Sequence, residues 1–338
     1  MGIRGGFCGG LIRFMVKNKS VLDREWKNKG LVVVSVLVIA LLYFLILKLL
    51  ADAERNRVVA KFVGKVRLDS MAEGAFLLDG IKVIVYDAYG VTYDFNGRKG
   101  RLWDWPNTMN LNYYTYEEAI AHTLIGKVFI SKDDETIQIE SESLPVFVCN
   151  KHYCAHVLGY RGVAIYDIGV PQKLVEYPKV EAEWAFPILG KYEGLFVGKR
   201  KYLSESMTYS LHRNRGTQEI MSAVGDPLGA KQVNHLLYLA TTDFLYEIDL
   251  NKKQLNSSTP INGATEGKFA FSEDGSFFSY ADRADRIFGY RLATMERFPI
   301  HAASEKKVWT VHFLGSDSTL TIVRATVYSA EVFQIEIK

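Results

Sequence analysis

This chain has few cysteines, few prolines and a small net charge. Only three of its 338 residues are cysteine and eight are proline, while 41 basic residues face 38 acidic ones, a formal net charge of +3. So few cysteines exclude a scaffold held together by many disulfides. The balanced charge excludes the concentrated basic face of a nucleic-acid binder. A hydrophobic content of 48% excludes a disordered chain.

The motifs of common catalytic sites are also missing. The sequence contains no Gly-x-Ser-x-Gly nucleophile elbow, no His-Glu-x-x-His zinc helix and no phosphate-binding loop. The glycine pairs at 5–6 and 9–10 do not precede a strand–helix–strand pattern, so they do not predict a nucleotide site. We therefore nominate no catalytic, metal-binding or cofactor-binding residue and expect no cofactor.

What the sequence does contain is one long uncharged run. Residues 31–47 read LVVVSVLVIALLYFLIL, and the segment extends to residue 51. A helix of about 21 residues spans a hydrocarbon core of ~30 Å. We expect a basic tail at 1–29 and a single transmembrane helix at 30–51. The alternative is a cleaved signal peptide, because Ala51 and Ala53 suit the peptidase, but the run exceeds the usual ~7–15 residues.

Basic residues flank this run on both sides. Six lie between Arg13 and Lys29, and five lie between Arg55 and Arg67. The near tie leaves the positive-inside rule undecided, but long downstream domains translocate largely regardless of their charge. We expect a single-pass membrane protein with a cytoplasmic N-terminus and a periplasmic or otherwise extracytoplasmic C-terminal domain, in contact with the lipid bilayer through residues 30–51.

The sequence pattern changes twice beyond the run. At 52–69 apolar residues recur every three or four positions, which predicts an amphipathic helical connector. From residue 70 short runs of β-branched and aromatic residues alternate with turn residues, which predicts strands. A capping-box pair, Thr115 and Glu118, predicts one interrupting helix. The strand candidates are 81–86, 128–130, 146–149, 163–166, 195–197, 236–240, 244–248, 277–280, 308–313 and 320–323.

Three segments resemble blades of the WD-repeat β-propeller family. Residues 271–292 combine a strand, an Asp-Gly hairpin turn, a second strand and a third that ends in aromatic-x-Leu. Residues 237–250 resemble the central hairpin of a blade, and residues 162–168 with Pro171 are similar to a segment of some secreted propeller repeats. The resemblance, which covers mainly 160–338, implies an all-β, β-propeller-like domain of six or seven blades at 70–338. A pair of β-sandwiches is the second choice.

Tyrosine spacing favours the propeller. We predict that Tyr166, Tyr246 and Tyr290 occupy comparable blade-closing positions. The last two are 44 residues apart, which equals one blade of ~40–45 residues, and the first two are 80 apart, close to two blades. Val308 then opens the next unit.

Two cysteines and two histidines fall within residues 149–156. A hairpin there would place Cys149 opposite Cys154, within reach of a disulfide, and we favour that bridge in an exported domain. Two reduced thiols are the second possibility. A zinc site that also uses His152 and His156 is the third.

An aromatic-rich segment precedes them, and Pro106 indicates that it is irregular. Its side chains either pack over a core edge or contact a partner, since Tyr and Trp are enriched at binding hot spots. We nominate five of them as candidate partner contacts: Trp103, Trp105, Tyr113, Tyr114 and Tyr116.

These features predict a membrane-anchored β-propeller that serves as an interaction or scaffold subunit of a larger membrane-associated complex. Its expected partners are other proteins of that complex, and no nucleic acid. The alternative is an anchored propeller hydrolase, as the resemblance allows, with a metal held in the central channel by Asp, Glu and Asn residues from separate blades. A sensor that signals through the helix is disfavoured, because the tail of about thirty residues is too short for a signalling domain.

Overall fold

The structure, a computed structural model, describes residues 39, 41–44 and most of 58–337. The gaps in the second range are 79–81, 88–90, 94–98, 102–112, 117–118, 125–126, 133–134, 141–145, 152, 159–160, 191–192, 201–203, 205, 214–215, 262, 305–306 and 315–318. The chain divides into two compact units, Met1–Arg57 and Val58–Lys338.

In the first unit, the described residues Ile39 and 41–44 are helical and exposed. Within the described part of the chain, no helix has the length and apolar character needed to cross a membrane. The predicted tail at 1–29 and the rest of the predicted span at 30–51 lie outside the described residues. The transmembrane helix therefore stays a prediction.

The second unit is built from strands. Its described residues form 29 strands in seven sheets, which we call blades 1 to 7 in chain order. Two strands precede blade 1: β1 Val58–Val59 and β2 Lys61–Arg67. Blade 1 contains β3 Ala72–Leu78, β4 Lys82–Asp87, β5 Val91–Tyr93 and β6 Lys99–Arg101. Blade 2 contains β7 Tyr113–Tyr116, β8 Ala119–Leu124, β9 Lys127–Lys132 and β10 Glu135–Glu140. Blade 3 contains β11 Val146–Asn150, β12 Tyr153–Val157, β13 Gly162–Asp167 and β14 Gln172–Pro178.

The remaining blades follow in the same way. Blade 4 contains β15 Trp184–Ile188, β16 Gly194–Arg200, β17 Ser206–Arg213 and β18 Gly216–Val224. Blade 5 contains β19 Pro227–Val233, β20 Leu236–Thr241, β21 Phe244–Asp249 and β22 Gln254–Pro260. Blade 6 contains β23 Ala264–Phe271, β24 Phe277–Asp282, β25 Ile287–Arg291 and β26 Glu296–His301. Blade 7 contains β27 Lys307–Leu314, β28 Thr319–Thr326 and β29 Ser329–Glu336. All ten strand candidates from the sequence lie in strands or overlap them, and Val308 does open a new blade.

The blades are arranged as in a β-propeller. Consecutive strands of each blade pair antiparallel, and the first strands β11, β15, β19, β23, β27, β3 and β7 contact one another in that order. First strands are therefore innermost and fourth strands outermost, the arrangement of a propeller around a central channel. The prediction of a β-propeller is confirmed, and the described residues form seven blades.

The N-terminal strands close the ring. β2 pairs antiparallel with β29 and supplies the outermost strand of blade 7, while β1 pairs in parallel with β26 at the outer edge of blade 6. The amide of Ala60 between them donates to the carbonyl of His301 at 2.7 Å. The predicted helical connector is therefore wrong over Val58–Arg67, where pairing with distant strands outweighs the local periodicity, and the propeller begins at residue 58 and not at residue 70.

The predicted helix after Thr115 is also wrong. β7 and β8 pair antiparallel with Thr115 opposite Ile120, so both sides of the predicted helix start are strands. The aromatic residues 113–116 are part of β7 and not of an irregular loop. Aromatic and β-branched residues suit a strand that has partners on the sheet, and this outweighs the capping-box signal.

The core lies between the blades. The largest described cluster joins Trp184, Phe186, Phe196 and Tyr209 of blade 4 to Leu237 and neighbouring residues of blade 5. Trp184 and Phe186 stack at 6.1 Å between ring centroids, as do Phe196 and Tyr209 at 5.4 Å. Each such side chain contributes about 1.5–3 kcal/mol when fully buried, so neighbouring blades stabilise one another.

The three tyrosines all lie on third strands, but not at one position. Asp167 and Asp249 end β13 and β21 with the same turn, because each carboxylate accepts backbone N–H groups two and three residues further on. Tyr166 lies one residue before its aspartate, whereas Tyr246 lies three before Asp249. Tyr290 again lies one residue before its strand ends. Tyr166 and Tyr290 therefore occupy comparable positions near the end of their strands. Tyr246 lies two residues earlier on its strand, on the same face of the sheet.

Candidate functional site

A pocket lies on one face of the propeller, across blades 3, 4 and 5. The turns between first and second strands emerge on this face together with those between third and fourth strands, and we call it the 1–2 face. The pocket has a volume of about 440 Å³. Its polar lining residues are Asn150, Lys151, Gln232, Asn234, His235 and Asn251.

Three tight turns bring these residues together. Lys151, Gly190 and Asn234 occupy the turns of blades 3, 4 and 5, and all have positive φ, at 54°, 70° and 54°. Glycine and asparagine adopt this left-handed conformation readily, but lysine does so at a cost of roughly 1–2 kcal/mol. The fold therefore holds the backbone of Lys151 in a conformation that lysine disfavours, with the side chain of Lys151 at the pocket.

A network of side-chain amides connects the three blades beneath the pocket. The Nδ2 of Asn150 donates to Oε1 of Gln232 at 3.2 Å and to the carbonyl of Pro187 at 3.1 Å. Gln232 accepts from the amide of Leu189 at 2.8 Å and donates to the carbonyl of the same residue at 3.0 Å. We call this the amide clamp. It joins the first strands of blades 3 and 5 to the turn of blade 4.

Lys231, the neighbour of Gln232 in sequence, lies close to Lys151 and to two acidic residues. Burial lowers the pKa of Lys231, and the nearby charge of Lys151 lowers it further, while Glu273 and Asp274 act in the opposite direction. The carboxylate of Asp274 already accepts hydrogen bonds from Ser272 and Ser276. The lining itself therefore presents cationic Lys151, the His235 imidazole and carboxamides, a set that suits an acidic or amide side chain.

Cys149 and Cys154 are joined by a disulfide, the outcome favoured from the sequence. The two residues are directly opposite on β11 and β12, with Cα atoms 4.0 Å apart and an S–S distance of 2.02 Å. A bridged pair has no thiolate to offer to zinc. His152 lies outside the described residues, and within the described part no three His, Cys, Asp or Glu side chains are placed to hold a metal ion.

His156, the other histidine of that segment, is buried in blade 3. It is 0% exposed, and neither of its ring nitrogens has a hydrogen-bond partner. Its ring lies 6.2 Å from that of Phe147 and 6.4 Å from that of Tyr166. Burial, with a smaller effect from the charge of Arg161, lowers the pKa of His156 to about 4. The imidazole is therefore neutral in the folded protein at pH 7 and packs as a core side chain.

The described residues do not test the five aromatic candidates for partner contacts. Trp103 and Trp105 lie outside the described part of the chain. Tyr113, Tyr114 and Tyr116 lie on β7, the innermost strand of blade 2, and their side chains are outside the described set. Their role as partner contacts stays a prediction.

The residues that form the pocket are not among the candidates from the sequence. Asn234-His235 and Asn150-Lys151 are ordinary turn residues next to strand candidates, and nothing local distinguishes them from other turns. Gln232 lies on a strand that the apolar pattern did not reveal. Only the positions of blades 3, 4 and 5 around the ring place these residues side by side.

Comparisons with known proteins show the fold and leave the family open. No protein-family model matches the chain, and no curated protein does. The β-propeller domain of Myceliophteria thermophila Cps50 (Swd1) is 12% identical over 82% of this chain and 100% of that domain, with a TM-score of 0.55. The WD40 domain of Neurospora crassa Pan2 is 8% identical over 82% of this chain and 96% of that domain, with a TM-score of 0.56. These similarities confirm the WD-repeat-like β-propeller fold.

Proposed function

We propose that this chain is a membrane-anchored interaction scaffold, and that the pocket on its 1–2 face binds an acidic side chain of a protein partner within a larger membrane-associated complex. The observation that carries the proposal is the amide clamp. Asn150 and Gln232 lock three turns in place before any partner arrives. A preorganised surface loses little conformational entropy on binding, which leaves more of the contact energy for affinity.

The chemistry of the lining supports an acidic ligand group. Lys151 supplies a positive charge, the His235 imidazole supplies an N–H donor, and the side-chain amides of Asn234 and Asn251 supply further polar contacts. A volume of about 440 Å³ accommodates one or two side chains of an inserted loop. Because Lys151 lies at the tip of a turn, its ammonium group is exposed and can meet a carboxylate without burying an unpaired charge.

The proposal places the propeller outside the cytoplasm, held by the apolar run at 31–47. The Cys149–Cys154 disulfide supports this location, because disulfides persist in oxidising compartments and are rare in the cytosol. The proposed anchor restricts the scaffold to partners at the same membrane, which raises their effective concentration.

Chemical crosslinking in cells, followed by purification of the full chain in mild detergent, tests the proposed pocket. We expect crosslinks that map to the 1–2 face, and recovery of the crosslinked partner that falls at least tenfold in Lys151→Glu. The matched control is Lys179→Glu, because Lys179 is also an exposed lysine with positive φ, at 66°. Equal recovery of the partner with both variants would contradict the proposed pocket. Release of the full chain from membranes by alkaline carbonate would contradict the anchor.

A further inference from the structure

We infer that the outer edge formed by β1 and β2 contacts the anionic headgroups of the membrane that holds the chain. We call this surface the N-terminal edge and define it by Val59, Lys61, Phe62, Val63, Lys65 and Arg67. The inference rests on the proposed anchor and adds to it the side of the propeller that faces the lipid.

The N-terminal edge exposes large apolar side chains, which the edge strands of most proteins do not. Val59, Phe62 and Val63 are 62%, 52% and 49% exposed. Among the described strands, β2 is hydrogen-bonded only to β29, and the irregular pairing between Phe62 and Gly64 leaves Val63 without a partner residue on that strand. Open, apolar edge strands promote aggregation, and proteins cover or charge them. The exposed apolar side chains therefore mark this edge as a candidate contact surface.

Its charge indicates an anionic cover. Lys61, Lys65 and Arg67 are all exposed on the same strand, and the Nζ of Lys65 lies 3.9 Å from a carboxylate oxygen of Glu331. Exposed apolar side chains among basic ones are the pattern of a segment that lies at a bilayer interface with anionic lipids.

The outermost strand of blade 3 provides a comparison. β14 also exposes two apolar residues, Leu174 and Val175, at 45% and 42%. Its charges cancel, because the Nζ of Lys173 lies 2.8 Å from a carboxylate oxygen of Glu176. An apolar edge with balanced charge has no preference for anionic lipid, so exposure alone does not distinguish the N-terminal edge from β14. The excess of basic charge distinguishes the N-terminal edge.

The proposed anchor and this edge are close in sequence. The predicted span ends at residue 51 and β1 begins at residue 58, seven residues later. Even a fully extended chain of that length covers at most about 25 Å. β1 and β2 are the first described strands after residue 51, so a short segment connects the proposed anchor to this edge.

Fluorescence quenching on the full chain in lipid nanodiscs tests the inference. Cys8→Ser provides a background in which the remaining cysteines are bridged, and a fluorophore is attached at Val63→Cys or, as the matched control, at Val175→Cys. In discs that contain phosphatidylserine, we expect headgroup-attached spin labels to quench the probe at position 63 at least threefold more than the probe at 175. Replacing Lys61, Lys65 and Arg67 together by glutamine is expected to remove most of that difference.

The possible outcomes separate the inference from the anchor on which it rests. A chain that enters the nanodiscs but shows equal quenching at positions 63 and 175 would overturn the inference and leave the anchor intact. Equal quenching at position 63 in discs of phosphatidylcholine alone would overturn the preference for anionic headgroups. Shielding of position 63 from acrylamide in detergent without lipid would show a protein cover and overturn the lipid contact. A chain that does not enter the discs would overturn both proposals.

Discussion

Asn150 and Gln232 lie on the first strands of blades 3 and 5, and their side-chain amides share a 3.2 Å hydrogen bond across the turn of the blade between them. The two residues are 82 positions apart in sequence. Through Pro187 and Leu189 the same two amides also hold the intervening blade. The pocket above them is therefore a product of the assembled ring and of no single blade.

Breaking the amide clamp should destabilise the propeller measurably. Gln232→Leu removes the hydrogen bonds to Asn150 and Leu189 and leaves the backbone N–H and C=O of Leu189 without this partner. We expect a loss of about 2–3 kcal/mol in the free energy of unfolding, because each lost bond costs roughly 1 kcal/mol. Denaturant unfolding in detergent measures it. Gln218→Leu, on the exposed outer strand β18, should change stability by less than ~0.5 kcal/mol. A similar small change for Gln232→Leu would show that the clamp does not hold the blades.

The disulfide should stabilise blade 3 modestly. Cys149 and Cys154 are five positions apart, so the bridge closes a small loop, for which chain entropy predicts about 2 kcal/mol. The double variant Cys149→Ser with Cys154→Ser should unfold at lower denaturant concentration than the parent chain, and reductant should lower the midpoint of the parent but not that of the variant. Alkylation of the non-reduced, denatured chain followed by mass spectrometry should modify Cys8 alone. Modification of all three cysteines would refute the bridge.

His156 should make the folded protein sensitive to mild acid. Burial lowers its pKa to about 4 from an ordinary value of 6.5, so the unfolded chain binds the proton first as pH falls. Stability from this residue is complete above pH 6.5 and is lost between pH 6.5 and 4, by about 3 kcal/mol in total.

Replacement of His156 tests this assignment. His156→Leu should flatten the dependence of unfolding free energy on pH between 6.5 and 4, as measured by denaturant unfolding at a series of pH values. The control is Gln218→Leu, which changes no titratable group and should retain the slope of the parent protein. An unchanged slope in His156→Leu would mean that the buried imidazole is not the titrating group.

Ring closure by β2 predicts unequal effects of one substitution at two nearby valines. Val66 is 5% exposed and packs between blades 7 and 1, whereas Val63 is 49% exposed. Val66→Asp buries an unpaired carboxylate and should cost at least 3 kcal/mol or prevent folding. Val63→Asp should cost less than about 1 kcal/mol. Thermal unfolding of both variants in detergent measures the difference. Equal melting temperatures would argue against closure by this strand.

Local patterns predicted most of the strands. The runs 236–240 and 244–248, for example, are apolar, β-branched or aromatic and are separated by turn residues, and both lie in the central hairpin of blade 5. The Asp-Gly turn at 274–275 also behaves as expected, because Gly275 has a φ of 72°. Alternation and turn chemistry are properties of short segments, so they can be read without knowledge of the partners of a strand.

The sequence by itself thus determined that the chain has an apolar run, a series of short strands and a pair of cysteines spaced for a hairpin. Only the tertiary structure decided that residues 61–67 form a strand, because their partner β29 lies at the other end of the chain. It also decided that Asn150, Gln232 and Asn234 line one pocket. Hydrogen bonds and packing between residues that are far apart in sequence leave no local periodicity. In a propeller such contacts determine both the outer edge and the pocket.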